Sequence, residues 1–229
     1  MNNDKEQTIY DFDFSLVCEY FSSLERQGPG SEEMTKLALS FIDGLTEESK
    51  IADLGCGTGG QTATLAQNTK ASITALDLFP AFIDKLQNRF ANLKQSDRVS
   101  GIVGSMNELP FADREFDVIW CEGAIYNIGF KHGLEYWHKF IKSGGYIAVT
   151  EASWFTENRP EEIHRFWNEA YPEIDTILIR FSRFSLQDIF RLPISSCLRS
   201  AGQIISIFFK RKHRRSFYPS IQITLLQPT

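Results

Sequence analysis

Ile51-Ala52-Asp53-Leu54-Gly55-Cys56-Gly57-Thr58-Gly59-Gly60 is a short apolar run that breaks into four glycines within six residues. The run reads as a strand and Gly60 to Asn68 as a helix, so the glycines form a strand-to-helix turn. Glycine admits positive φ and lets a ligand approach the backbone, at an entropic cost that a plain turn does not require. The free N–H groups at the start of the helix favour an acceptor there. Alone, Gly55-x-Gly57-x-x-Gly60 also satisfies the dinucleotide fingerprint. A tight turn without a ligand is the plain alternative.

Downstream the same alternation continues. Ser72 to Leu78 reads as a second strand, and Pro80 opens a helix toward Leu93. Val99 to Val103, Phe116 to Cys121 and Tyr146 to Thr150 read as the third, fourth and fifth strands. His132 to Ile141 reads as a helix closed by Lys142-Ser143-Gly144-Gly145, a C-cap signal. Arg159 to Tyr171 reads as a further helix. Upstream, residues 8–24 suggest a helical lead-in. Arg26-Gln27-Gly28-Pro29-Gly30-Ser31 is a turn, and Ser31 N-caps a helix that runs to about Leu45. Strands alternating with helices imply βαβ units and a parallel sheet, which binds its ligands at the carboxyl ends of the strands.

Those strand ends carry the candidate chemistry. Asp53 precedes the first loop glycine. A carboxylate there would repel a pyrophosphate, yet it can pair, directly or through water, with the ammonium of a methionine moiety. Asp77 ends the second strand, where a carboxylate accepts both ribose hydroxyls of a nucleoside. A solvated strand-end acid or a helix cap is its plainer reading. Leu78 and Phe79 are placed to pack on an adenine face. Gly104-Ser105-Met106 follows the third strand, with core filling as the alternative for Met106. Cys121-Glu122-Gly123-Ala124-Ile125-Tyr126-Asn127 follows the fourth.

Asp53-x-Gly55-x-Gly57-x-Gly59 resembles motif I of the class I S-adenosylmethionine-dependent methyltransferases. The stretch Leu109 to Ile119 resembles the ubiquinone/menaquinone-biosynthesis type of that family. Tyr10-Asp11-Phe12-Asp13, Arg26 to Ser31 and Ser153-Trp154-Phe155 look like a small bacterial subgroup of it. The resemblance covers about residues 7–175. It implies an α/β, Rossmann-like, doubly wound and mostly parallel sheet with helices on both faces and an N-terminal helical lid over residues 1–45. It implies S-adenosyl-L-methionine held by Arg26, Gly28, Asp53, Gly55, Gly57, Gly59, Gln61, Asp77, Leu78, Gly104, Ser105, Met106 and Glu122. In that set Arg26 pairs with the methionine carboxylate, Glu122 meets the ammonium, and Ser105 and Met106 contact the adenine. Tyr126 and Asn127 line the acceptor pocket, with ordinary loop packing as their alternative. The cofactor-binding domain is expected over residues 46–175.

No catalytic residue is assigned. The cofactor carries an activated methyl group, so a base is needed only if the acceptor must lose a proton. His132, His138 and Glu151 are the candidates, each with a structural alternative.

The four cysteines, Cys18, Cys56, Cys121 and Cys197, form no CxxC pair, which argues against a zinc site or a disulfide framework. No metal is expected. The polar start Met1-Asn2-Asn3-Asp4 and the lack of a long apolar run point to a cytoplasmic protein without a membrane span. No basic stripe with interleaved aromatics occurs in residues 1–175, so the expected partner is a small-molecule acceptor and not nucleic acid. A homodimer is left open.

Residues 176–229 hold nine Lys or Arg and one acid, Asp188, a tail of +8 against −13 for the rest. Two readings compete for this atypical basic tail. One is a reading-frame shift near residues 176–185. Leu186 to Arg191 can be encoded so that another frame reads Ala-Gly-Tyr-Leu-Pro, and Cys197 to Gly202 so that it reads Pro-Glu-Lys-Cys-Trp. Both peptides look like the continuation of the family. The other reading makes Ile204–Phe209 and Ile221–Leu226 a hairpin on the sheet edge. Two rivals to the methyltransferase stay in view: a non-catalytic or inactivated cofactor-binding protein, and an NAD(P)-dependent oxidoreductase.

Overall fold

Lys50–Leu54 forms strand β1 at the middle of the sheet, and the chain winds outward from it in both directions. The computed structural model describes residues 14–154, 158–176, 189–197 and 204–211. The other strands are β2 (Ser72–Asp77), β3 (Val99–Val103), β4 (Phe116–Cys121), β5 (Ile141–Ala152), β6 (Ile189–Cys197) and β7 (Ile204–Arg211). The helices are α1 (Phe14–Ser22), α2 (Glu32–Leu39), α3 (Gly60–Asn68), α4 (Pro80–Asn92), α5 (Phe130–Trp137) and α6 (Glu161–Ala170). The order is β3-β2-β1-β4-β5-β7-β6. The first five strands are parallel, and β7 runs antiparallel to both β5 and β6. The winding reverses between β1 and β4, and that switch point opens a crevice at the strand carboxyl ends.

The pleat divides the core in two. Alternate strand residues face opposite sides of a sheet. Ala52, Leu54, Ile119, Cys121, Ile147 and Val149 face Phe130, Leu134 and Trp137 of α5. Ile51, Ile73, Ala75, Val118, Trp120 and Ala148 face Leu39, Leu65, Leu86 and Phe90 of α2, α3 and α4. Both faces are covered, as a parallel sheet requires.

Several boundaries differ from the sequence reading. The lead-in expected over 8–24 is a helix over Phe14–Ser22, with residues 1–13 outside the described part. Ser31 does cap α2, its hydroxyl accepting the Met34 N–H, but the helix stops at Leu39, not near Leu45. Ser40 bonds back to the Leu37 carbonyl, and Phe41 and Ile42 close tighter turns; buried Ile42 then packs from a loop. The helix expected over His132–Ile141 begins at Phe130 and ends at Trp137, followed by one 3-10 turn. Lys142-Ser143-Gly144-Gly145 is no helix cap. It lies inside β5, where the register against β4 jumps from Phe116↔Ile141 to Val118↔Tyr146. The extra residues form a bulge, and Gly144 takes the positive φ of +82° that it needs.

The sheet also continues past residue 175. Ile204–Arg211 does form an edge strand, but its hairpin partner is Ile189–Cys197. Ile221–Leu226 lies outside the described residues, as do Tyr10–Asp13 and Phe155.

Candidate functional site

Three neighbouring strands carry an acid at or beside their carboxyl ends: Asp53 in β1, Asp77 in β2 and Glu122 directly after β4. Asp53 shares its face with Ile51, Asp77 with Ala75, and Glu122 with Trp120, because side chains repeat every second residue. β2, β1 and β4 are adjacent, so the three carboxyls stand side by side where the helices of that face begin. All three are buried.

Each is held differently. Asp53 accepts the Thr62 hydroxyl at 2.6 Å and the Gln61 side-chain amide at 3.3 Å. It is fully buried, and burial pushes its carboxyl up to about 7. The two hydrogen bonds and Arg26 act against that rise, while the neighbouring Glu122 charge adds to it. Asp77 accepts the Gly57 N–H at 2.8 Å and the Phe79 N–H at 3.1 Å. Burial raises its carboxyl too, and those backbone donors limit the rise. Glu122 accepts Thr35 Oγ1 and Trp120 Nε1, each at 2.8 Å, and forms a close ion pair with Arg26. Asp53 bends back to α3, whereas Asp77 faces open space at the glycine loop.

That open space is a cavity of about 570 Å³ at the strand carboxyl ends. It is lined by Gly28, Gly55, Gly57, Gln61, Asp77, Leu78, Gly104, Ser105, Met106, Glu122, Tyr126 and Asn127, all expected, and by Phe21, Gln27, Cys56, Phe79, Phe82, Asn107, Gly123, Ala124 and Ile128. Its size lies within the roughly 300–1,000 Å³ range of small-molecule sites. A groove of about 690 Å³, lined by residues such as Lys36, Gly44, Thr69 and Lys70, lies by the segments that lead into β1 and β2 and includes none of the three acids. The smaller cavity is where strand ends, glycine loop and acids converge.

Three expected residues do not line it. Asp53 is turned toward α3 by the pleat, and Gln61 stands between it and the cavity. Arg26 is withdrawn against Glu122 and Thr35. Gly59 lies beneath the loop, where a Cβ would press on Leu86 at 3.0 Å. Two other glycines are needed for space in the loop itself. A Cβ on Gly55 would overlap Ala124, and one on Gly57 would overlap the Gln27 carboxamide.

None of the candidate bases lines the cavity. His132 is exposed and stacked on Tyr136, His138 sits in the 3-10 turn, and Glu151 is buried within β5. Tyr126 stands at the mouth, its ring edge-on to Tyr171 at 6.2 Å. Asn127 is braced on the Ala124 carbonyl. Among the described residues no cluster of metal-ligating side chains occurs, and Cys18, Cys56 and Cys121 are free thiols. No helix among them is long and apolar enough to cross a membrane.

Gln27 had no sequence signal beyond its place in the Arg26–Ser31 turn. Phe21 and Phe82 read as ordinary apolar helix residues, whereas Phe79 was expected beside an adenine and does line the cavity. Their convergence on one cavity is a product of the winding.

A family model described as a methyltransferase domain matches residues 51–145. A sarcosine/dimethylglycine N-methyltransferase from Aphanothece halophytica is 30% identical over 118 residues, 50% of this chain and 42% of that protein. A ubiquinone/menaquinone biosynthesis C-methyltransferase from Geobacter sp. (strain M21) is 28% identical over 145 residues, 62% of each. The chain therefore spans about half the length of such relatives. Among solved structures, geranyl diphosphate C-methyltransferase from Streptomyces coelicolor A3(2), in complex with Mg2+, geranyl diphosphate and S-adenosyl-L-homocysteine, superposes with a TM-score of 0.67. It is 15% identical and covers 78% of this chain and 77% of that one, a likeness of fold. Residues 51–145 thus match a methyltransferase domain, and enzymes of the ubiquinone/menaquinone-biosynthesis type are among the proteins the chain is similar to.

Proposed function

We propose that the chain binds S-adenosyl-L-methionine in the glycine-loop cavity and transfers its methyl group to a small-molecule acceptor. The observation that carries this reading is the buried Asp77 carboxylate, which lines a cavity together with the backbone of Gly55 and Gly57. A nucleoside fits that donor set. Asp77 accepts its ribose hydroxyls, and Leu78 and Met106 offer apolar surface to its base. Gln61 reaches from the cavity to Asp53 and carries the charge of that buried acid toward a ligand ammonium. Bound S-adenosyl-L-methionine would supply a methyl group already activated on a sulfonium. The work left to the chain is proximity and orientation, worth up to about 7–11 kcal/mol when reacting atoms are well aligned. Tyr126 and Asn127 stand at the mouth, on the acceptor side.

Titration with S-adenosylhomocysteine tests the reading. Micromolar or tighter binding is expected, with none of NADH; the reverse pattern overturns it in favour of an oxidoreductase. The N-methyltransferase and C-methyltransferase relatives differ in the atom their names imply, so the acceptor is identified by assay on a panel of small molecules.

A second reading, cofactor binding without transfer, draws on one observation: His132, His138 and Glu151 lie away from the cavity lining. An acceptor that must lose a proton would then need its base from elsewhere. The reading-frame proposal for residues 176–185 is tested on the coding DNA. A second frame that encodes the two continuation peptides supports it, and the lack of one removes it.

A further inference from the structure

The lid lies on the glycine loop through contacts that the ligand reading does not use. Gln27 Oε1 accepts the Thr58 N–H at 2.8 Å, while Gln27 Nε2 donates to the Phe21 carbonyl at 3.0 Å. One carboxamide therefore bonds the first part of the lid and the loop at once. Its oxygen occupies the space that a Gly57 Cβ would need. At Gly60 a Cβ would lie 2.7 Å from the Glu25 carbonyl oxygen. Two of the four loop glycines are thus required by the lid and not only by a ligand.

A second set of contacts comes from α4, outside the cavity. Lys85 Nζ donates to the Ser22 carbonyl at 2.8 Å. Arg89 donates to the Glu25 carbonyl at 3.2 Å and to the Gly59 carbonyl at 3.4 Å, so one guanidinium bridges lid and loop. Neither side chain lines the cavity, whereas Phe21, Gln27 and Gly28 of the lid do. A ligand seated at Asp77 would be covered by the segment these residues hold.

We propose that Gln27 is a positioning residue that bolts the segment Phe21–Gly30 onto the glycine loop, and that Lys85 and Arg89 brace it, so that these three side chains set the rate at which the cavity opens. The inference rests on the cofactor reading only for the identity of the ligand that passes. A lid of this kind limits ligand entry and release without touching the reacting atoms.

The test compares the unaltered 229-residue chain with Gln27→Ala and with the double variant Lys85→Ala/Arg89→Ala. Rates of S-adenosylhomocysteine binding and release are followed by stopped-flow tryptophan fluorescence. Hydrogen exchange of residues 21–30 is read in the ligand-free protein. Release is expected to quicken about fivefold or more in the double variant, the factor that one ordinary hydrogen bond gives. Binding should quicken with it, leaving Kd nearly unchanged, and exchange over 21–30 should rise. A purely structural role would speed release alone and lower Tm. Unchanged rates together with unchanged exchange overturn the proposal, and so does faster release without faster binding. The exchange readout decides the lid independently of the cofactor reading. If S-adenosylhomocysteine fails to bind the unaltered protein, that reading falls, while exchange at 21–30 still supports or overturns the bolt.

Discussion

Alanine at Asp77 is expected to weaken S-adenosylhomocysteine binding by about 100- to 1,000-fold. A hydrogen bond to a charged group contributes roughly 1.5–3 kcal/mol, and a ribose diol makes two. Two such bonds lost correspond to about two orders of magnitude or more, since each 1.4 kcal/mol or so is tenfold. The substitution also releases the Gly57 and Phe79 N–H groups that Asp77 now accepts, so the loop loses a tie as well as the ligand. Asparagine keeps one acceptor oxygen and should fall between alanine and the unaltered chain. Calorimetric titration reads the affinity, and a melting curve confirms that the fold survives. Unchanged affinity in Asp77→Ala would place the ligand elsewhere. Burial raises the Asp77 carboxyl above its ordinary range, so acidification that protonates it should weaken binding of the unaltered protein.

The second large effect concerns stability. The Asp53 carboxyl is raised from its ordinary value of 3.8 to about 7. The folded protein therefore holds a proton near neutral pH that the unfolded chain has given up. Unfolding is favoured progressively as pH rises from about 4 to 7, and the loss is complete above 7. A shift of about three units corresponds to about 4 kcal/mol at most. Asp53→Asn removes the ionisation but keeps the shape, and the Thr62 hydroxyl can turn to accept from the new amide. The variant should be more stable than the parent at pH 8, with Tm higher by roughly 5 °C or more. Its stability should lie nearly flat between pH 5 and pH 8, by the same linkage. If its curve of Tm against pH tracks the parent, Asp53 is not the source. The same variant should bind the cationic cofactor less well, since the buried negative charge behind Gln61 is gone. Stability gained and binding lost in one substitution is the pattern expected of a strained functional site.

Much of this architecture was legible in local patterns. The alternation of Ile51-Ala52-Asp53-Leu54, the glycines after it and Pro80 after Asp77 are short-range signals, and they mark strand, turn and helix because pleat, positive φ and fixed φ are properties of a few consecutive residues. Strand ends were readable for the same reason, and with them the positions of Asp77, Met106, Glu122 and Tyr126 around one crevice. Helix ends were less readable. Leu45 and Ile141 are apolar and continue a helical period, but Leu45 packs partly buried from a loop and Ile141 is buried in a strand, because burial rewards the contact and not the conformation. Gly144-Gly145 resembled a cap in sequence and serves a bulge in the sheet.

The glycine run at residues 55–60 and the acids beside it were settled by the chain's own order. Only the folded structure decided how those acids are used. Asp53 turns to Thr62 and Gln61, Arg26 meets Glu122 across 96 residues of sequence, and Gln27 caps Thr58 across 31. Such pairs form when strands β1, β2 and β4 are laid side by side and the lid is folded over them. A partner that is distant along the chain leaves no local pattern, so the choice between facing a ligand and facing another side chain belongs to tertiary structure alone.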